Sequence, residues 1–133
     1  MKRLFLCIAA ALIATPAAAQ APRVPVPLTA TEGYGACSTA EIRAPAGTDG
    51  IVSVRAGPSR RDRALAHLPG ERGVYACVRR GDWFGIVFER VRGESRCAHV
   101  LTPQRQASVY RGPCGSGWVH YNYLAGYADW VSP

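Results

Sequence analysis

Hydrophobic and polar positions along this chain alternate in short runs, and no 3.6-residue period is sustained outside the N-terminal segment. Alternation puts successive side chains on opposite faces of an extended strand. Ile51 to Arg55 is one such run, with Val52 and Val54 on one face. Arg55-Ala56-Gly57-Pro58-Ser59 ends it with loop chemistry, and Arg60 to Arg63 continues as a charged loop. Ala64 to Leu68 is a second run, closed by Pro69-Gly70. Val74 to Val78 is a third, closed by Arg79-Arg80-Gly81-Asp82. Trp83 to Phe88 is a fourth, with Trp83, Gly85 and Val87 on one side and Phe84, Ile86 and Phe88 on the other. Gly117 to His120 begins a fifth, and Asn122 suits Tyr121 to Leu124 to a turn of 3₁₀ helix. Five short strands broken by turns predict an all-β domain, a small barrel or sandwich, and a barrel that closes partly on itself would limit exposed edges. Its core would take Val52, Val54, Leu65, Leu68, Val74, residues of Phe84 to Phe88, Val119 and Leu124.

The N-terminal segment reads differently. Lys2 and Arg3 precede an apolar run from Leu4 to Ile13, and Ala17-Ala18-Ala19 follows Thr15-Pro16. That is the layout of a secretory signal peptide over residues 1–19, cleaved after Ala19. The run is too short to span a bilayer, which takes about 20 apolar residues, so no stable membrane insertion is expected after cleavage. Pro22, Pro25 and Pro27 then mark residues 20–32 as an extended, flexible tether. The folded domain is expected over 33–133. A periplasmic or secreted location follows.

Cleavage changes the arithmetic. The chain of 133 residues loses 19 and becomes 114; the 16 basic residues lose Lys2 and Arg3, so the charge becomes 14 − 9 = +5, all from Arg. Such a length holds one domain and excludes barrel enzymes and two-domain dinucleotide enzymes. Export argues against nucleic acid as a partner and turns the basic balance toward the cell envelope.

Removing Cys7 leaves Cys37, Cys77, Cys97 and Cys114. An even number in a small exported chain reads as two disulfides, with three possible connectivities. Cys97–Cys114 closes a local loop with sixteen residues between its ends, which leaves Cys37–Cys77 to staple the N-terminal part onto the body. Zinc is the other use of such cysteines. No C-x-x-C pair exists, and His67, His99 and His120 lack finger spacing, so no metal and no cofactor is expected.

The runs also carry a resemblance. Ser53-Val54-Arg55-Ala56-Gly57-Pro58-Ser59 resembles the Asn-Val-Arg-x-Gly-Pro-Ser signature of bacterial SH3-like domains. His67-Leu68-Pro69-Gly70-Glu71 is similar to their Leu-x-x-Gly turn. Gly81-Asp82-Trp83-Phe84-Gly85-Ile86-Val87 is similar to their Gly-x-Trp-x-x-Val strand, and Gly117-Trp118-Val119-His120-Tyr121-Asn122-Tyr123-Leu124 to their closing Gly-Trp-Val-x-x-x-Tyr-Leu. The pieces stand in the family's order over roughly Gly50 to Leu124. Ser53 replaces the usual Asn, and residues 89–116 form a 28-residue insertion where the family often has a handful. The resemblance implies a five-stranded SH3-like barrel, here with a disulfide-stapled insertion.

It also implies a non-catalytic module that binds peptidoglycan, its peptides or another envelope protein. Trp83, Trp118, Tyr121, Tyr123 and Tyr127 offer flat apolar faces for sugar rings or peptide side chains, unless the indoles are core packing. Arg55, Arg60, Arg61 and Arg63 can meet carboxylates through two parallel bonds, unless they are a solvated loop. The expected ligand-binding set is Arg55, Ser59, Arg60, Trp83, Tyr121 and Tyr123. The alternative is a protein–protein interaction role, as an accessory or inhibitory subunit of an envelope complex. An enzyme needs a placed nucleophile, metal or acid–base pair. Glu89 and Glu94 lie five apart in a loop, Asp49, Asp62 and Asp82 read as turn formers, and His120 reads as a strand residue. No catalytic constellation is expected.

Overall fold

The computed structural model describes residues 22–47 and 49–131, together with Ala14. The expected signal peptide and its cleavage point otherwise lie outside these residues. The chain is all-β. Its strands are β1 (Pro27–Leu28), β2 (Ser38–Ile42), β3 (Ile51–Arg55), β4 (Ala64–Pro69), β5 (Gly73–Arg80), β6 (Trp83–Phe88), β7 (Ser108–Val109), β8 (Gly115–His120) and β9 (Leu124–Ala125). Three short 3₁₀ turns occupy Ala98–Leu101, Tyr121–Tyr123 and Asp129–Val131. The middle one is the turn expected from Asn122.

Seven strands form one sheet in the order β4-β3-β8-β6-β5-β2-β9, and β1 pairs with β7 in a separate two-stranded ribbon. All pairings are antiparallel. The expected small five-stranded barrel is therefore corrected to an open sheet of seven strands. Closure would need a ladder between the edge strands β4 and β9. β9 is two residues long before Gly126, at φ +74°, turns the chain, and β4 ends on Pro69, whose nitrogen has no hydrogen to donate. The sheet still curls around one core. Leu68 from one edge and Leu124 from the other join Val52, Val54, Val74, Phe84, Ile86, Phe88 and Val119 in the same buried cluster. Leu65, expected in this core, is only partly buried.

The β5–β6 connection is a two-residue turn, Gly81-Asp82, between the paired Arg80 and Trp83. Gly81 takes φ +57°, a conformation that suits the twist of a tight hairpin and costs glycine little. A register shift in β5 between Ala76 and Val78 changes the facing. Ala76 points into the main core, while Cys77 and Val78 face the opposite side of the sheet.

That opposite side carries a second core. Trp118, Val87, Cys77, Cys37, Cys97, Val100, Tyr110, Cys114, Val26 and Leu28 pack there. The segment expected as a flexible tether is thus docked. Val26 and Leu28 are buried, β1 pairs with β7, and Val24 N–H donates to Ala56 O at 2.8 Å. The alternation of Val24, Val26 and Leu28 with Pro25 and Pro27 explains it: the apolar residues share one face, and β1 is an edge strand, where proline is tolerated. The insertion lies between Phe88 and Gly115, two residues shorter than expected because β8 starts early. Both expected disulfides are present, Cys37–Cys77 and Cys97–Cys114. The first ties the start of β2 to β5, and the second closes the insertion over the outer face of β6.

Candidate functional site

Alternation along β3 fixes one wall of a pocket. Val54 points into the core, so Ile51, Ser53 and Arg55 face outward. The β6–β8 ladder fixes the opposite wall, because its register sets Trp83 directly across from His120. The 3₁₀ turn after β8 then brings Tyr123 alongside. These residues, with Pro45, Val52 and Arg60, line a cavity of about 280 Å³.

The cavity joins flat rings to guanidinium groups. Trp83 and His120 meet edge to face with centroids 5.4 Å apart, and the Tyr123 ring lies 6.0 Å from His120. His120 Nδ1 accepts the Asn122 N–H at 3.2 Å, so the proton of the neutral ring sits on Nε2. Arg55 is held in place by donating from Nη1 to Asp62 O at 3.0 Å, and its other N–H groups meet no acceptor among the described residues. Arg60 is exposed and makes no hydrogen bond or ion pair among the described residues. Ser53 Oγ lies 3.3 Å from His67 Nδ1. Among the described residues no acidic side chain lines the cavity.

Four of the six expected ligand-binding residues, Arg55, Arg60, Trp83 and Tyr123, come together here. Ser59 and Tyr121 do not line it. Ser59 Oγ accepts the Arg61 N–H at 3.1 Å and so shapes the loop. Tyr121 lies against His120, centroids 4.8 Å apart, with the Arg79 guanidinium 5.3 Å from its ring. Trp118 is fully buried and donates its Nε1–H to Val24 O at 2.9 Å, so its role is packing. Pro45, Ile51, Ser53 and His120 were not among the expected set. Ser53 was legible from the same two-residue period that sent Val54 inward; His120 needed the β6–β8 register, which the insertion hides in the sequence.

A second polar constellation sits under the insertion. Glu89 is the one buried charged residue among the described residues, at 7% exposure. Its Oε1 accepts the Cys97 N–H at 2.7 Å and the Tyr75 O–H at 3.3 Å. Burial raises the Tyr75 pKa above 10.0, and the Glu89 carboxylate raises it further by charge and by holding the proton. Glu89, Cys97 and Cys114 have the spacing of a metal cluster, but both sulfurs are spent in the disulfide.

Two disulfides fit an oxidising compartment. Among the described residues no helix is long and apolar enough to cross a membrane. Comparison with protein-family models, curated proteins and solved structures gives no match.

Proposed function

We propose that this chain is an exported, non-catalytic SH3-like module of the cell envelope whose Arg55–Trp83 pocket binds peptidoglycan through its carboxylate-bearing stem peptides. The observation that carries this reading is the pocket's composition. Two arginines, an indole, an imidazole and a phenol from separate segments line one cavity without a single acid. Guanidinium groups match carboxylates in planar, two-bond geometry, and ring faces take the apolar parts of a peptide or sugar. Three of the motif pieces that resemble bacterial SH3-like domains support it further, since those on β3, on β6 and on β8 with its following turn supply lining residues of this pocket. The open sheet departs from the barrel that the resemblance implies, so the binding reading rests on the pocket rather than on closure.

Pull-down on insoluble peptidoglycan tests the proposal. Trp83→Ala and Arg60→Gln should each weaken retention about tenfold, the loss of one charge-assisted bond or one ring face. Tyr121→Ala, outside the lining, should leave it nearly intact, and high salt should reduce it by screening. Retention indifferent to both pocket variants would overturn the reading and favour a protein partner instead.

A further inference from the structure

A cavity of about 290 Å³ opens at the opposite end of the β6–β8 ladder, where the N-terminal segment, the insertion and the start of β8 meet. Three arginines line it, Arg23, Arg90 and Arg111, and no acidic residue does. Two of them are pre-oriented. Arg23 donates from Nη2 to Ser116 O at 2.8 Å, and Arg90 donates from Nε to Pro113 O at 2.9 Å. Their remaining N–H groups meet no other protein acceptor among the described residues, apart from a 3.4 Å approach of Arg23 Nη2 to Ser116 Oγ. Arg111 is exposed and makes no hydrogen bond or ion pair among the described residues. Three like charges around one cavity repel one another, and nothing in the lining offsets them.

We propose that this cavity is an anion site for a phosphoryl group, either a phosphate monoester or a pyrophosphate. A carboxylate brings one negative charge. A phosphate monoester brings about −1.5 to −2 at neutral pH and three acceptor oxygens. That charge comes closer to balancing three guanidinium groups, whose forked N–H pairs match tetrahedral oxyanions. Backbone carbonyls of Ser116 and Pro113 hold two of the forks, so little side-chain entropy is lost on binding. The site is independent of the Arg55–Trp83 pocket, and neither proposal depends on the other.

Calorimetric titration of the full oxidised protein with inorganic pyrophosphate tests the site. Saturable binding is expected, weakened about tenfold by Arg111→Gln and by Arg90→Gln. Arg105→Gln, which removes an equal charge elsewhere, should leave it unchanged. Arg111 is exposed and makes no hydrogen bond or ion pair among the described residues, so its variant should fold as the parent does, which matched thermal melts check. A second arm uses phosphatidylcholine vesicles doped with phosphatidic acid or with phosphatidylglycerol. Retention on the phosphatidic acid vesicles alone, lost in Arg111→Gln, places the phosphoryl group on a headgroup. Pyrophosphate binding without vesicle retention places it on a free anion. Absence of saturable binding in both arms, or binding that Arg105→Gln weakens as much as Arg111→Gln, overturns the proposal.

Discussion

Gly117 and Gly73 both lie in strands, yet they answer to different constraints. A Cβ at Gly117 would stand 2.7 Å from the Arg55 carbonyl oxygen and 2.6 Å from Val54 Cγ1. The carbonyl belongs to the facing strand β3 and cannot rotate away. At Gly73 nothing lies within 4 Å. Gly117→Ala should therefore cost about 1–3 kcal/mol, as overpacking does. Gly73→Ala should leave stability unchanged or raise it by about 0.4–1 kcal/mol through the unfolded chain. Urea midpoints of the two variants check the contrast. A titration belongs to this scale too. The folded protein holds the Tyr75 proton above the pH at which an unfolded tyrosine, near 10.0, releases it. This contribution is fully present below that pH and is lost as pH rises toward the folded value. Tyr75→Phe should flatten the alkaline fall, measured as urea midpoints across a pH series. Single residues were legible where period two governs them, as with Ser53 and Arg55. The buried charge of Glu89 was not, because its partners Cys97 and Tyr75 reach it only through the fold of the insertion.

At the level of elements, the strands rich in branched and aromatic residues were readable from their alternation. β3 and β6 fall where expected, and β4, β5 and β8 extend slightly beyond. β2 was missed because Ser38-Thr39-Ala40-Glu41-Ile42 offers two modest apolar side chains, and it becomes a strand by pairing with β5 and β9. β1 was masked by prolines that favour an extended tether in an isolated chain; docking on β7 and on Trp118 overrides that preference. The insertion gives an element-level prediction. Cys97 and Cys114 are 17 apart, a loop whose closure is worth about 3 kcal/mol on chain-entropy reasoning. The double variant Cys97→Ser, Cys114→Ser should lose about that much. Amide exchange should rise across residues 89–114 while β5 and β6 keep their protection on the main-core side. Equal loss of protection throughout would mean that the two cores melt as one unit.

For the whole molecule, what matters is how little holds it together without its bridges. Cys37–Cys77 spans 40 positions and adds about 4 kcal/mol by the same reasoning. Against a typical stability of about 5–15 kcal/mol, losing both leaves the domain marginal or unfolded. Near-ultraviolet circular dichroism should collapse on reduction and return on reoxidation. Fold class was open to the sequence because the longer strands share the two-residue period. Closure was not, since it depends on whether the two edge strands meet, and no local pattern reports that. The pocket sits between, because four of its residues were nameable but their meeting required β3 to pack beside the β6–β8 ladder.

The three indoles stand at graded depths: Trp118 fully enclosed, Trp83 half-buried at the pocket, and Trp130 37% exposed beside Tyr34. Each therefore emits from its own environment and answers to a different quencher. Trp83 emission should respond to whatever enters the cavity it lines, and Trp118 emission to the seating of the N-terminal segment it is bonded to. Replacing one indole at a time with phenylalanine should separate the emission of the pocket from that of the docked N-terminal segment.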